Sequence, residues 1–243
     1  MLSISLAQAE LLMGYISRHA ILRGFASEST IILGRSEIGE DTFLDEFVCV
    51  GYPRRDKLLG FSGKFADLDD LSSGARIGRK CIIRSHTVIY EGVEIGDNVE
   101  TGHHVLIREG SRIGSDSRIG SYAKLDGKVE VGSGVSIQSG AYLPHLTIIE
   151  NGVFIGPGVI VTNDPYPVSR RLLGVRIARE AIIGAGAVLL AGVEIGERAV
   201  IGAGAVVTRS VPAGMVAYGC PARVMMTREE YDEKRRAHEE SGA

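Results

Sequence analysis

Tryptophan is missing from the 243 residues, and aromatic side chains make up only 6% of them. A core made from such a chain must be filled by aliphatic side chains rather than by large rings. Three cysteines, Cys49, Cys81 and Cys220, stand far apart, in odd number and without metal-ligand spacing. That excludes a disulfide framework or a zinc-stapled scaffold and fits a reduced, cytoplasmic setting. Basic residues number 27 against 30 acidic ones, a formal net charge of -3, so there is no basic excess to meet nucleic acid. The longest apolar stretch, residues 181–193, is too short and too rich in glycine to span a bilayer. The N-terminus shows no basic segment leading into a secretory cleavage site. The expectation is a soluble protein with neither nucleic acid nor membrane as partner.

What the chain has in excess is glycine, 32 copies, roughly twice the average usage of about 7%. These glycines are spread along the chain, which points to a recurring turn. Stepping by six from Ile77 meets Ile83, Ile89, Ile95, Thr101, Ile107, Ile113, Ile119, Leu125, Val131, Ile137, Leu143, Ile149, Ile155 and Val161. Only Thr101 in this column is not aliphatic. Four residues after each member from Ile77 to Ile155 stands a small residue or valine, as at Cys81, Thr87, Val93 and Val99. The column also runs through Ile32, Ile38, Leu44 and Val50, and through Ile177, Ile183, Leu189, Ile195, Ile201 and Val207.

A helix needs a period near 3.6 and a half-buried strand a period of 2. Period six fits short strands joined at corners, three to a triangular coil of 18 residues, with coils stacked at the parallel strand spacing of about 4.8 Å. The second corner residue of each hexad needs a left-handed backbone. It is Gly, Asn or Asp at positions 92, 98, 110, 116, 134, 140, 152, 158, 186, 192 and 204, the residues that best tolerate positive φ.

Hexads such as IGDNVE, IGPGVI, IGAGAV and IGERAV resemble those of the left-handed β-helix acyltransferases, the hexapeptide-repeat transferases. The resemblance covers about residues 29–224. It implies an all-β fold, a left-handed parallel β-helix with a C-terminal capping helix. The expected division is a lead-in over 1–28, the β-helix over 29–225 and the helix over 226–243. Residues 52–70 and 164–175 abandon the period and read as loops extruded from the prism. Thr227 and Glu230 form a capping-box pattern at the start of the last helix.

Acyl transfer needs a base for the acceptor's proton, and six histidines are available: His19, His86, His103, His104, His145 and His238. His86 and His104 fall on second corner positions, 18 residues and hence one coil apart. His103 and His145 fall on first corner positions of different edges. The segment TGHHVLIREG, from Thr101, resembles the stretch in nucleotide-sugar acetyltransferases whose His aligns with His103 and whose Asn aligns with His104. The resemblance implies His103 as general base, with His104 the runner-up and a corner role the structural alternative for each. Residues 161–167, VTNDPYP, resemble the same family's TND-x-Y-P stretch. Asn163 and Asp164 are thereby implied in substrate binding, with Tyr52 and Arg54 of the first loop added as contacts.

Along the edge of His103 the first corner residues are Ser121, Ser139, Pro157, Ala185 and Ala203. Five coil steps of about 4.8 Å make on the order of 24 Å, enough for an extended pantetheine arm and its nucleotide. Ala185 and Ala203 are therefore expected to flank the cofactor, with Arg170 and Arg171 as phosphate contacts; residues 219–225, GCPARVM, resemble the family's closing segment, which implies Arg223 as a further phosphate contact. The resemblance implies acetyl-CoA as co-substrate, a sugar acceptor, direct transfer in a ternary complex, a homotrimer and no metal. A noncatalytic scaffold is the alternative. A γ-carbonic-anhydrase reading lacks that family's His spacing, and a serine acetyltransferase reading lacks that family's helical N-terminal domain.

Overall fold

The computed structural model describes residues 14–241, and over that span the chain is a parallel β-helix. Two-residue strands recur every six residues and stack into three flat sheets. Sheet A, with Ile89 and Ile107, has 10 strands; sheet B, with Ile95 and Ile113, has 9; sheet C, with Ile83 and Ile119, has 11. Partners such as Ile89↔Ile107 and Ile95↔Ile113 lie one 18-residue coil apart. The architecture is the left-handed β-helix with a C-terminal helix that the hexads imply.

The bulky column fills the prism. Ile83, Ile89, Ile107, Leu125 and Leu143 are all 0% exposed, and full burial of each such side chain is worth about 1.5–3 kcal/mol. The small column fits beneath the corners. Thr87, Ser111 and Ser117 are buried there, and Ser117 Oγ donates to the Gly132 carbonyl at 3.0 Å. Among the described residues no buried side-chain nitrogen or oxygen lacks a partner. All eleven Gly, Asn and Asp corners named above adopt positive φ.

Three details differ from the sequence reading. The first coil begins at Tyr15–Ile16 rather than at residue 29, so residues 14–28 are solenoid; residues 1–13 lie outside the described span. The reason is a shortened corner between Ile21–Leu22 and Phe25–Ala26. It makes that coil two residues short (Leu22 pairs with Ile38) and, with Ala26 at a bulky position, breaks the sixfold count. The prism also closes on an antiparallel hairpin, Met215–Gly219 with Ala222–Thr227, rather than on further hexads. The loop after Tyr52 carries two short helices, α1 (Arg55–Leu58) and α2 (Leu68–Leu71).

The last helix, α3 (Arg228–Ser241), starts on the expected box: Thr227 N–H donates to Glu230 Oε2 at 2.7 Å and Glu230 N–H to Thr227 Oγ1 at 3.3 Å. It lies along the flank of sheet C, where its Tyr231 and Lys234 share a cavity with Ile182 and Val200.

Candidate active site

Three edges separate the sheets, and the site begins on the C–A edge. Thr101 occupies a bulky inward position, fully buried. Its hydroxyl must find a partner, and it accepts the Arg84 N–H at 3.0 Å from the coil below. Elsewhere that N–H would bond the carbonyl of the facing strand. Here the Thr101 carbonyl is taken instead by the Arg84 guanidinium at 2.7 Å. The strand ladder is thus locally rewired two residues before His103.

His103 is exposed and clamped from both sides along the edge. Ser85 Oγ, one coil below, sits 2.7 Å from its Nδ1, and its backbone N–H donates to Ser121 Oγ, one coil above, at 3.1 Å. Ser85 is itself fixed by its N–H, which donates to Asp45 Oδ2 at 3.2 Å. Gly102 makes the approach possible, because a Cβ there would fall 2.3 Å from Ser121 N. His103 borders a cavity of about 350 Å³ with Arg84, Glu100, Arg118, Gln138 and Ser139.

His104 is placed differently. It is a second corner residue with φ 56°, as is His86 with φ 61°. Their rings stack 4.6 Å apart, continued below by Phe47 and above by Tyr122, each 5.0 Å away and nearly parallel. Both faces of the His104 ring are covered, and among the described residues no hydrogen bond directs either of its nitrogens. Stacked parallel imidazoles point their lone pairs side by side, which is unsuited to a shared metal ion needing convergent ligands.

Above His103 the edge carries Ser121, Ser139, Pro157, Ala185 and Ala203, the last four exposed. The line ends beside a largely apolar cavity of about 550 Å³, lined by Gly184, Ala203, Val216, Tyr218 and Tyr231, with Lys234, Arg235 and His238 from α3 at its side. The α3 residues are the ones that sequence reasoning missed. Their register depends on the hairpin, which no hexad announces. Arg223 lies on that hairpin, exposed, opposite Tyr218.

The remaining candidates lie on the A–B edge, across sheet A from His103. Both irregular loops leave the prism there, after Tyr52 and after Val161. Asn163 Nδ2 donates to the His145 carbonyl at 3.2 Å. Asp164 accepts the Tyr166 N–H at 3.0 Å on one oxygen and the Ser169 N–H at 2.8 Å on the other. Both side chains stitch the second loop in place, and Arg170 and Arg171 stand exposed on it. In the first loop Tyr52 meets Tyr90 edge to face, and the Arg54 guanidinium pairs with Asp56 at 2.9 Å. Glu91 anchors this loop. Burial alone would raise its pKa, but Lys57 and the Ser73 and Arg54 donors outweigh that and hold it below the ordinary carboxylate value.

A single chain therefore brings His103, Ala185 and Ala203 to one edge and leaves Asn163, Asp164, Tyr52, Arg54, Arg170 and Arg171 on another. His19 lies on the A–B edge as well, in the first coil, between Tyr15–Ile16 of sheet A and Ile21–Leu22 of sheet B. It stands near the N-terminal end with Asp69 and Asp70, ligand atoms within 4.8 Å of one another, but the Asp69 oxygens already accept Ser17 Oγ–H and Gly34 N–H.

A comparison with curated proteins found no match. Among solved structures, a galactoside acetyltransferase in complex with coenzyme A is 22% identical at a TM-score of 0.46, covering 54% of this chain and 68% of that one. A hexapeptide-repeat acetyltransferase from Vibrio cholerae complexed with acetyl coenzyme A is 25% identical at 0.43, covering 49% and 70%. A truncated serine acetyltransferase is 32% identical at 0.37; the overlap spans 40% of each chain. Residues 74–109, 110–145 and 174–209 each match the family described as bacterial transferase hexapeptide (six repeats). The matched segments carry His86, His103, Ser121, Ser139, Ala185 and Ala203, and Pro157 lies between them.

Proposed function

We propose that this protein is an acetyl-CoA-dependent acetyltransferase that acetylates an amino or hydroxyl group of a sugar.

 The acceptor is a nucleotide-linked sugar, and transfer is direct, within a ternary complex, with His103 as general base. What carries this reading is the placement of His103 by Ser85 at the foot of the line Ser121, Ser139, Pro157, Ala185, Ala203. Five coil steps of about 4.8 Å separate its ends. The acetyl thioester at the foot and the nucleotide of coenzyme A at the top match that span. The apolar cavity beside Ala203 suits a planar base, and Lys234, Arg235 and Arg223 suit its phosphates. The repeat match to transferases supports the same reading.

His103 takes the proton from the acceptor's hydroxyl or ammonium as the freed lone pair attacks the thioester carbonyl. The tetrahedral intermediate collapses with loss of the thiolate of coenzyme A, which takes the proton from the imidazolium; where the acceptor is an amine, its nitrogen sheds the second proton to solvent. His103 is favoured over His104 because a hydrogen bond directs its ring, whereas His104 is a rung in a stack.

The division of the candidates between two edges favours a homotrimer in which the loops of one copy approach His103 of the next. Sheet A, which lies between the two edges, turns Ile31, Val88, Leu106, Ile160, Val188 and Val206 outward. Sheet B turns out Glu37, Arg76, Glu94, Arg112, Glu130, Arg176 and Glu194, which pair along the stack and suit water. In such an assembly Tyr52, Arg54, Asn163 and Asp164 shape the acceptor side, and Arg170 and Arg171 lie within reach of phosphates.

The test is coenzyme A release from acetyl-CoA with a panel of nucleotide-linked amino and hydroxy sugars. Wild type should turn over one of them, and His103→Ala should lower kcat on the order of 100-fold to 10,000-fold with acetyl-CoA binding kept. Neither turnover nor acetyl-CoA binding in the wild type would favour the noncatalytic scaffold.

A further inference from the structure

An imidazole acts as a base only at the nitrogen that lacks a proton, so its tautomer decides whether His103 works. His103 Nδ1 faces Ser85 Oγ at 2.7 Å, and neither of the two atoms has another hydrogen-bond partner among the described residues. A hydroxyl can play either role toward this nitrogen. If it donates, Nδ1 is the bare nitrogen and Nε2 carries the proton, which makes the outward nitrogen useless as a base. If it accepts, Nδ1 carries the proton and Nε2 presents its lone pair to the acceptor.

We propose that Ser85 is the positioning residue of this site, its hydroxyl accepting the Nδ1–H of His103 and so holding Nε2 free for the acceptor's proton. This rests on the acetyltransferase reading for its purpose, but not for its geometry. The bond survives the reaction: when Nε2 gains a proton, Nδ1–H still donates to Ser85 Oγ, and nothing has to rearrange. The clamp is stiff because every part is tied to the solenoid. Asp45 holds the Ser85 backbone from below, and Ser121 holds the His103 backbone from above.

The orienting group is also neutral. A carboxylate in its place would favour the imidazolium by charge; a hydroxyl fixes direction without that pull. The charged groups facing His103 are Arg84, Glu100 and Arg118 around the same cavity, with His104 next in the chain and Asp45 behind Ser85. Arg84 pairs with Glu100 at 3.5 Å, which leaves the local balance of charge to these few groups.

The experiment reads the ring nitrogens of the intact protein by 15N NMR, with the His103 signals identified by their loss in His103→Gln. Neutral wild type should show His103 protonated at Nδ1. Ser85→Ala should shift it towards the Nε2-protonated form that a free imidazole prefers, and Ser85→Thr, which keeps the hydroxyl, should restore the wild-type pattern. In the transfer assay Ser85→Ala should lower kcat on the order of 10-fold to 100-fold, a part of the whole general-base contribution, with the KM for acetyl-CoA unchanged. Ser85→Asp should move the acidic limb of the pH–rate profile to higher pH. A wild-type ring protonated at Nε2, or a spectrum that Ser85→Ala leaves unchanged, overturns the proposal. Because the spectra need neither donor nor acceptor, they decide it even if no sugar is acetylated.

Discussion

Replacing Glu91 by Gln should loosen the first loop and leave the prism intact. Glu91 is a first corner residue of the A–B edge, 3% exposed. One oxygen receives Lys57 Nζ at 2.5 Å, Ser73 N–H at 2.8 Å and Ser73 Oγ at 2.7 Å, and the other receives Arg54 N–H at 3.1 Å. The amide of Gln keeps the shape but turns one oxygen into a donor, which then faces donors. Breaking a buried charge pair costs about 3–5 kcal/mol. The Lys57 side chain is 28% exposed and can turn to water, so the loss falls to about 2–3 kcal/mol.

That loss is local, because the coils above and below do not use Glu91 to pair their strands. At about 1.4 kcal/mol per factor of ten, amides of residues 53–75 should exchange hydrogen on the order of 30-fold to 150-fold faster. Amides of the prism should keep their protection. The sign with pH follows from the depressed pKa of Glu91. Its contribution is present above the unfolded value, about 4.3, and is lost as pH falls through the folded value. Acidification below about 4 should therefore loosen the loop in wild type and change little in Glu91→Gln. Loop exchange within a factor of about three of wild type, or loss of protection across the whole solenoid, would refute this account of the anchor.

Two further outcomes follow from close packing and from burial. Gly102→Ala should place a Cβ 2.3 Å from Ser121 N and 2.4 Å from its Oγ; overpacking of this kind costs about 1–3 kcal/mol, read as a melting midpoint lowered by roughly 2–10 °C. Burial pushes the Cys49 thiol up to about 12 and raises that of Cys81 as well, while Cys220 is exposed. At pH 8 a thiol reagent should label Cys220 first, and the other two only on unfolding; prompt labelling of three thiols in the folded protein would contradict it.

The prism was legible in the sequence because its chemistry repeats. One bulky and one small inward residue per hexad, and a residue tolerant of positive φ at each corner, leave a written period. What the period cannot carry is any place where a coil departs from it. The shortened corner at Arg23–Gly24 shifts the count by two, and the hairpin from Met215 has no hexad at all. The corners also accept residues that no propensity would choose. Phe47 and Tyr122 adopt φ of 58° and 62°, a conformation that costs about 1–2 kcal/mol outside glycine. Stacking of neighbouring rings returns about 0.5–1.5 kcal/mol, so only the neighbours one coil away explain the choice.

The candidate site was half legible for a related reason. Positions that differ by a multiple of 18 share an edge wherever no insertion intervenes. Between His103 and Asn163 there is none, and the difference of 60 residues leaves a remainder of six, one edge further on. Simple counting thus already separates the imidazole from the second loop. What counting does not give is direction. Ser85 and Ser121 stand one coil below and above His103, and both are serines on the same line. Yet one meets the ring nitrogen and the other the backbone N–H. Around them Asp45 takes the Ser85 N–H from beneath, and the ladder is rewired at Thr101. The sequence names the residues on an edge, and the packing of successive coils decides which of them can direct a proton.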